Sequence, residues 1–398
     1  MICLEGIMKN TIRWGDFLKD VFICSLGAYG GPEAHYGVIT DQMVIKKKYL
    51  NEDDLVELIA LCSILPGPTS TQTIVSIGHK VGGPLLGLFT MLVWALPVLI
   101  LMTVLSFLYT FLDRINISQD ILRYIGPMAV GFIIVAAFNI GKKVVVDKLT
   151  ISLLIGSAII TFFIRQPWVF PSVLVVGGIA SILASKEKEI WNKVKISPPW
   201  KYLVIFISIS IGSLLLSYFE GNRLITLFES FYRYGYLVFG GGQVVVPVMH
   251  SELVEVNNFM TNQEFLTGYG LVQGLPGPMF SFAAYVGGMA ARGLGVLVQV
   301  LGAIAGGVGI FLPGLLLIYF VYPVWEKLKK IRAIKISLKG INAVAGGLIA
   351  VSAITLMQKS GFFIDNIIVT IITIILLLTK KIPAPLIVLA AIILGLII

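Results

Sequence analysis

Long apolar blocks separated by short polar turns run along almost the whole chain. They cover roughly residues 17–32, 55–65, 68–82, 84–112, 125–140, 149–164, 167–184, 202–219, 224–240, 263–275, 278–291, 294–324, 340–357, 362–379 and 382–398. Several approach or exceed the length of about 20 residues that a helix needs to cross a bilayer, so the pattern predicts an all-α polytopic membrane protein. The blocks beside two Pro-Gly-Pro sequences are too short to span alone. Each such pair is predicted to be either one spanning helix broken at its middle or a re-entrant hairpin.

A duplication accompanies these breaks. The sequence Leu65-Pro66-Gly67-Pro68 returns 210 positions later as Leu275-Pro276-Gly277-Pro278, and Gly30-Gly31 returns as Gly240-Gly241. The register needs no gap between residues 30 and 78. Two copies of one unit, each with a helix break, are typical of membrane transporters whose site lies between the repeats.

The duplication predicts three parts: an N-terminal repeat (residues 1–184), a basic cytoplasmic linker with an extra transmembrane helix (residues 185–219) and a C-terminal inverted repeat (residues 220–398). Between Ser185 and Lys201 the linker carries five lysines against two glutamates, which predicts a cytoplasmic position. The single helix that follows has no counterpart in the first half. One unpaired crossing between two copies inverts the second copy in the membrane.

Loop charges independently favour this inversion. The loop of residues 113–124 is balanced in charge, whereas its counterpart, residues 325–339, carries six lysines and arginines. By the positive-inside rule the first loop lies outside and the second inside. At the next pair of loops the sides reverse, because three lysines between residues 142 and 148 mark an inside loop while the counterpart has only Lys359.

One pair of loops leaves the sidedness of the first segments open. Lys46-Lys47-Lys48 faces outside if the first segment and the broken one each cross the membrane, which gives thirteen spans. The same lysines face inside if both segments are re-entrant hairpins. Both alternatives leave the later topology unchanged, because the chain emerges on the same side of the membrane after two crossings as after none.

Composition agrees with a multi-pass protein of the cell inner (plasma) membrane, with the lipid bilayer as its surroundings. The chain is 57% hydrophobic and 13% charged, with a mean hydropathy of +0.94. Its net charge of +9 is therefore assigned to lysines and arginines in loops, and no nucleic-acid partner is expected. Cys3, Cys24 and Cys62 form no paired framework, so we expect no disulfide, metal site or cofactor. Whether the protein forms a homodimer stays open.

The candidate substrate-binding residues lie at the helix breaks. Glycine lets backbone N–H groups face a cavity, and proline at the first helical position directs the next N–H groups back at the break. Because helix N-termini favour anions, four breaks related by pseudo-symmetry predict a site for an oxyanion. The predicted substrate-binding residues are Gly30, Gly31, His35, Pro66, Gly67, Pro68, Thr69, Ser70, Gln72, Gly240, Gly241, Gly242, Gln243, Gln273, Pro276, Gly277 and Pro278. The alternative is that glycine and proline here only permit close packing or kinks.

Proton coupling needs a titrating group near such a site. Glu252 is the first candidate, because its first-half counterpart is the uncharged Gln42, and Glu33 is the weaker one. For His35 both a substrate or proton role and a purely structural role stay open.

These residues resemble the long-chain, two-repeat form of the chromate ion transporter superfamily. The first-half signature is similar at Gly30-Gly31-Pro32, Ala34-His35 and residues 65–72, and the second-half signature at residues 239–242 and Pro276-Gly277-Pro278. The resemblance covers nearly the whole chain. It implies a secondary transporter that exports chromate from the cytoplasm, with sulfate as a competing or exchanged oxyanion.

The chain departs from the family pattern at three positions. Gln42 stands where the family usually has an acid, and Tyr49 and Phe259 stand where it usually has tryptophan.

Two other classes of function were weighed. An intramembrane enzyme is not expected, because the chain has only three histidines and no H-E-x-x-H or G-x-S-x-G motif. A channel, or a carrier for a different anion or a small metabolite, stays open as the alternative. The chain has no phosphate-binding P-loop, so ion gradients or antiport are the expected source of energy.

Overall fold

A computed structural model of the chain describes residues 12–114, 121–187, 197–239 and 242–397. These residues form helices and turns, with no strand among them. The first half contains α1 (Trp14–Gly27), α2 (Pro32–Ile39), α3 (Glu52–Ser63), α4 (Thr69–Arg114), α5 (Ile125–Val144), α6 (Lys148–Phe163) and α7 (Val169–Ala184). After α8 (Trp200–Glu220), the second half contains α9 (Arg223–Leu237), α10 (Val245–Met249), α11 (Asn262–Gln273), α12 (Phe282–Ala290), α13 (Val296–Val321), α14 (Trp325–Leu328), α15 (Arg332–Ser360), α16 (Ile364–Thr379) and α17 (Ala384–Ile397).

The long helices have the surface of a membrane protein. Five segments among the described residues are long and apolar enough to cross a bilayer: Thr69–Leu112, Ile125–Val144, Trp200–Glu220, Val296–Leu328 and Arg332–Ser360. Only 6% of the apolar window in α8 is buried inside the protein, and such an apolar surface is stable against lipid but not against water. The all-α polytopic membrane fold predicted from the sequence is therefore confirmed.

The two halves repeat the same local structure 210 positions apart. α2 continues as a π-helix over Thr40–Lys46, and α10 continues as a π-helix over His250–Val256. Beyond these π-helices the left-handed backbone also recurs, with φ of 54° at Lys48 and 50° at Asn258. The duplication of the sequence is thus also a duplication of backbone conformation.

Each Pro-Gly-Pro sequence is the tip of a helical hairpin. Proline cannot continue the helix before it, and the chain turns back. α4 is interrupted at Gly82 and Gly83, whose backbone angles are not helical, so its first part, residues 69–81, is one leg of the first hairpin. The far ends of the two legs meet, since Lys80 Nζ on this part of α4 lies 2.6 Å from Asp54 Oδ1 on α3. In the second half Arg292, just after α12, pairs with Glu264 on α11 in the same way. In each half the two short helices form a hairpin that begins and ends at the same end of the molecule, and this geometry favours the re-entrant alternative.

The segment before each of these hairpins also turns back. Phe17 near the start of α1 packs against Tyr49, beyond the π-helix, with 5.0 Å between ring centroids. In the second half the guanidinium of Arg223, at the start of α9, lies 3.7 Å from the ring centroid of Phe259. The lysines at positions 46–48 therefore lie at the same end of the molecule as the start of α1.

The hairpins of the two halves open toward opposite ends of the molecule. α15 has 29 residues, which is about 43 Å of helix. Just before its start Lys329 pairs with Glu57 of the first-half hairpin, and near its end Lys359 pairs with Glu255 of the second half. An inverted repeat requires this geometry. Which end faces the cytoplasm stays a prediction from the loop charges.

The last two helices of each half pack against the other half. α6 and α7 lie along α15, and α16 lies along α5. Contact is closest at Gly177 and Gly340, where a Cβ on Gly340 would lie 2.0 Å from the Gly177 carbonyl oxygen. Small residues allow helix backbones to approach in this way in membranes. The halves are interlocked, and their hairpin tips are held together between them.

Candidate functional site

The four helix breaks meet at one small cavity. It is lined by Gly31, His35, Pro68, Thr69, Ser70, Gly242, Pro278, Met279 and Phe280. Both halves contribute, and seven of these residues belong to the predicted substrate-binding set. The cavity volume is about 10 Å³, which is room for about one water molecule. The structure is therefore closed around the point where the breaks converge.

A symmetric pair of hydrogen bonds ties each Pro-Gly-Pro tip to the opposite half. The Gly67 N–H donates to the Val238 carbonyl, and the Gly277 N–H donates to the Ala28 carbonyl, each at 2.7 Å. The two glycines have φ of 112° and 110°, in a region that residues with a Cβ rarely adopt. These N–H groups are used to join the halves, so an anion would have to be bound by other donors.

Two helix N-termini supply such donors. α4 begins at Thr69, and the N–H groups of its first three residues have no acceptor within the helix. α2 begins directly after Gly31, with Pro32 in its first turn. Gly31, Thr69 and Ser70 line the cavity, so both positively polarised helix ends lie at its wall.

His35 is the polar side chain most clearly available to a ligand. It is buried, with 2% exposure, and its Nδ1 lies 2.9 Å from Ser70 Oγ. Its ring packs edge-on against Trp94. Among the described residues, no hydrogen-bond partner exists for its Nε2. Buried polar atoms are rarely left unpaired, and this one belongs to a residue that lines the cavity.

Several predicted residues lie near the tips without lining this cavity. Gln72 Nε2 donates to the carbonyl of Pro66 at 2.8 Å, and Gln273 Nε2 donates to the sulfur of Met279 at 3.3 Å. Both amides thereby stabilise hairpin tips whose carbonyls have lost helical partners. Pro66 and Pro276 are not among the lining residues either. Gly240, Gly241 and the side chain of Glu33 lie outside the described part of the structure.

A second, larger cavity adjoins the first, and we call it the vestibule. It is lined by Gly30, Tyr36, Ser63, Thr69, Ala136, Asn139, Ile140, Lys143, Val144, Gln243, Asn342 and Ala345, and its volume is about 440 Å³. Thr69 belongs to both cavities. Gln243 of the vestibule lies close to the first cavity, since its Nε2 is 3.9 Å from where a Cβ on the lining residue Gly31 would be. The vestibule brings two further predicted residues, Gly30 and Gln243, to the site.

Glu252 belongs to a buried charge cluster between α9 and the π-helix of the second half. Arg233 donates to both oxygens of Glu252, at 3.0 and 2.8 Å, and to both oxygens of Glu229, at 2.7 and 3.0 Å. Ser230 Oγ also donates to Glu252, at 3.0 Å. Two carboxylates thus share one guanidinium, and the cluster carries a net charge of −1 unless it binds a proton. It does not line either cavity.

The first half carries a related buried cluster. It includes Gln42, one of the positions at which the chain departs from the family pattern. Asp20 is 2% exposed and accepts hydrogen bonds from Gln42 Nε2 at 2.8 Å and from Tyr49 at 2.7 Å. Lys47 Nζ lies 3.3 Å from the same carboxylate. The first-half carboxylate is therefore supplied by α1 and not by position 42.

Sequence reasoning missed several lining residues. Met279 and Phe280 directly follow the second Pro-Gly-Pro, and their position in the repeat was the signal that could have identified them. Asn139 and Lys143 are four residues apart on α5, a spacing that places both on one face of a helix. Lys143 was interpreted as a residue that sets the orientation of the helix in the membrane, because a lysine near the end of a spanning helix usually has that role.

Known proteins with similar sequences are membrane transporters. The profile of the chromate transporter family matches residues 15–183 and 225–396. The chain is 24% identical to a chromate transport protein of Cupriavidus metallidurans over 379 residues, which is 93% of this chain and 89% of the relative. It is 26% identical to a probable chromate transport protein of Synechococcus elongatus, over 94% of each chain. A chromate transport protein of Pseudomonas aeruginosa is 25% identical over 84% of this chain and 79% of its own length.

No solved structure matches the chain significantly. The family profile covers most of both halves, including the four breaks that converge at the cavity. On this match, the protein is a membrane transporter and belongs to the chromate transporter family.

Proposed function

We propose that the protein is a secondary transporter of chromate, or of a related oxyanion such as sulfate, in the cytoplasmic membrane. The observation that carries this proposal is the convergence of four helix breaks from two oppositely oriented halves on one closed cavity. The relatives' names support chromate as the substrate.

The donors at the cavity suit a tetrahedral oxyanion. A divalent anion in a membrane protein must replace the hydrogen bonds of its water shell, since an unpaired buried charge is very costly. The backbone N–H groups at the N-termini of α2 and α4 offer donors, and His35 Nε2 adds one in the tautomer whose Nδ1 accepts the hydrogen bond of Ser70 Oγ. Neutral donors and helix ends bind an anion without trapping it, as transport requires.

The closed cavity has to widen before it can hold the substrate. A volume of about 10 Å³ holds about one water, and an oxyanion has five heavy atoms. The vestibule lies at the Lys143 end of α5, which the loop charges predict to face the cytoplasm. Substrate that enters from there and leaves at the other end would be exported, so export is the proposed direction.

We infer that the Glu229–Arg233–Glu252 cluster takes part in proton coupling. A proton would neutralise the excess carboxylate, and the cluster links α9 to the π-helix on either side of the second-half break. Protonation can therefore alter how these two segments pack next to the site.

A channel, or a carrier for another anion or metabolite, is the alternative. The small volume of the cavity at the breaks, about 10 Å³, favours a carrier, because a pore would need a continuous path. Counterflow in proteoliposomes distinguishes the two: unlabelled substrate on the opposite side accelerates uptake by a carrier and does not accelerate flux through a pore.

The proposed substrate is tested with purified protein in proteoliposomes. Chromate, sulfate, molybdate and phosphate are offered separately at equal concentration, and initial rates are compared with those of protein-free vesicles. We expect the highest rate with chromate and competition by sulfate. Transport of a metabolite or a monovalent anion without any oxyanion transport would overturn the proposal.

A further inference from the structure

One face of α15 leads from the vestibule to a charged recess at the end of the helix. Ala345 lines the vestibule, Leu348, Ser352 and Thr355 line a narrow cavity of about 30 Å³, and Lys359 lines the recess, whose volume is about 610 Å³. These residues are three or four positions apart, so their side chains lie on one face of the helix. The loop charges predict that the recess faces outside.

Glu255 lies where the narrow cavity meets the recess, and it lines both. Its side chain is 16% exposed, and one oxygen, Oε1, contacts two cations. Arg165 Nη1, between α6 and α7, lies 3.5 Å from this oxygen, and Lys359 donates to it. Ser251 Oγ, also on the second π-helix, donates to the Arg165 carbonyl at 2.9 Å. These contacts hold the first half against the second half at this end of the molecule.

The cations of the recess exceed the carboxylates that neutralise them by one. Arg292, the third cation of the lining, pairs with Glu264, so Glu255 alone faces Arg165 and Lys359 among the described residues. Glu255 Oε1 shows that an anionic oxygen fits between these two cations. An arginine and a lysine that converge on one oxygen suit a multiply charged oxyanion.

We propose that Arg165 and Lys359 form an exit site for the oxyanion, and that Glu255 occupies this site as an outer gate until the anion displaces it. Displacement breaks the ion pair between the two halves and opens the narrow cavity toward the recess. This inference rests on the proposed oxyanion transport and adds a second binding position to it. Arg165 and Lys359 exchange one anionic partner for another, so neither cation is left unpaired.

Asp365 provides a matched control at the same end of the molecule. It pairs with Arg123 across the two halves, as Glu255 pairs with Arg165, and it lines neither the recess nor the narrow cavity. Asp365→Asn therefore removes one carboxylate and one ion pair without touching the exit site. Glu255→Gln removes the competitor of the anion, whereas Lys359→Gln removes one of the two cations.

The first test is exchange in right-side-out membrane vesicles loaded with radiolabelled chromate. External chromate accelerates the release of the label, and its half-maximal concentration reports on the outer site. We expect this concentration to fall about fivefold in Glu255→Gln and to rise about tenfold in Lys359→Gln, because the charge available to the anion changes in opposite directions. It should stay within about twofold of the wild type in Asp365→Asn.

The second test measures the gate without a substrate. Ser352→Cys and Thr355→Cys, in a chain without its natural cysteines, each place a thiol in the narrow cavity, where these side chains are 5% and 8% exposed. We expect a membrane-impermeant thiol reagent on intact cells to react about tenfold faster when Glu255→Gln is added, because the ion pairs no longer close the cavity. Added Asp365→Asn should leave the rate unchanged.

The outcomes separate this inference from the proposed function. If the wild type exchanges chromate and Glu255→Gln equals Asp365→Asn in both tests, the exit site is wrong and the proposed function stands. Shifts in the same direction in Glu255→Gln and Lys359→Gln would also overturn it, because the ion pairs would then only maintain the structure. If the wild type exchanges none of chromate, sulfate and molybdate, both proposals fail.

Discussion

At the residue scale, His35 combines a place in the lining of the cavity with a ring nitrogen that has no hydrogen-bond partner among the described residues. Its Nδ1 is engaged with Ser70 while its Nε2 has no partner among the described residues. We expect His35→Ala to weaken chromate binding by about 2 kcal/mol, or roughly 30-fold, the contribution of one hydrogen bond to a charged group. Binding of radiolabelled chromate to the purified variant measures this.

His79 is the control for that experiment. It packs against Tyr319 and Tyr322, with 5.4 and 4.8 Å between ring centroids, and it does not line either cavity at the breaks. His79→Ala should leave the Kd unchanged. A similar loss of affinity in the two variants would assign His35 a structural role.

The cluster around Glu252 leads to a prediction about how the transport rate depends on pH. Arg233 and two carboxylates give the cluster a formal net charge of −1. In Glu252→Gln one arginine faces one carboxylate, and no proton is needed for neutrality. We expect the transport rate of the wild type to change with pH and that of Glu252→Gln to change much less, measured as initial rates at fixed substrate concentration.

Glu229→Gln should flatten the pH profile in the same direction, because it removes the other carboxylate from the same arginine. Glu326→Gln, at an exposed position of α14, should keep the profile of the wild type. An unaltered profile in both Glu229→Gln and Glu252→Gln would remove the cluster from the coupling mechanism.

Individual residues could be predicted from the sequence where the repeat marked them. Gly31, His35, Thr69 and Ser70 were identified because they flank breaks, and they do line the cavity. Gln72 was included because it is polar and close in sequence, yet the unpaired carbonyl of Pro66 takes its amide. The partner of a flexible side chain depends on which backbone groups the fold leaves unsatisfied, and the sequence does not show that.

At the element scale, the hairpin tips depend on glycines whose backbone no other residue adopts easily. Gly277 has φ of 110° and a Cβ there would lie 2.9 Å from Val98 Cγ1. We expect Gly277→Ala to abolish most transport and to lower stability by about 1–3 kcal/mol beyond the cost of the φ angle, because the tip must move away from Val98 and its hydrogen bond to the Ala28 carbonyl is then strained. Initial transport rates and thermal unfolding in detergent measure both effects.

Gly293→Ala is the control that separates the effect of the steric clash from the effect of the positive φ angle. It also has a positive φ, 81°, but no heavy atom lies within 4 Å of a Cβ placed there. Gly293→Ala should carry the conformational cost alone, roughly 1–2 kcal/mol, and retain transport. Transport lost equally in both variants would show that the tip contact is not what matters.

The sequence predicted that the helices break at these positions, but it did not predict whether the chain continues across the membrane there or turns back. The Pro-Gly-Pro sequences required breaks, whereas a spanning broken helix and a re-entrant hairpin have the same apolar lengths and leave the same later topology. Ion pairs between distant residues, such as Lys80 with Asp54, favour the hairpin, and pairings of that kind are set by tertiary structure.

At the scale of the whole molecule, the account depends on the opposite orientation of the two halves. Crossed hydrogen bonds between Gly67 and Val238 and between Gly277 and Ala28 place corresponding backbone groups face to face. Two halves with opposite orientation can each open the shared cavity toward a different side of the membrane. A parallel arrangement would direct all the hairpins to one side of the membrane.

Labelling of Lys48→Cys and Asn258→Cys tests this orientation most directly. The two residues correspond across the repeat, both are exposed, and both have a left-handed φ, 54° and 50°, so any strain from the substitution is similar. Each is placed alone in a chain whose three cysteines have been replaced, and intact cells are treated with a membrane-impermeant thiol reagent before and after permeabilisation. We predict that Asn258→Cys reacts in intact cells and that Lys48→Cys reacts only after permeabilisation; reaction of both cysteines from the same side would contradict the account.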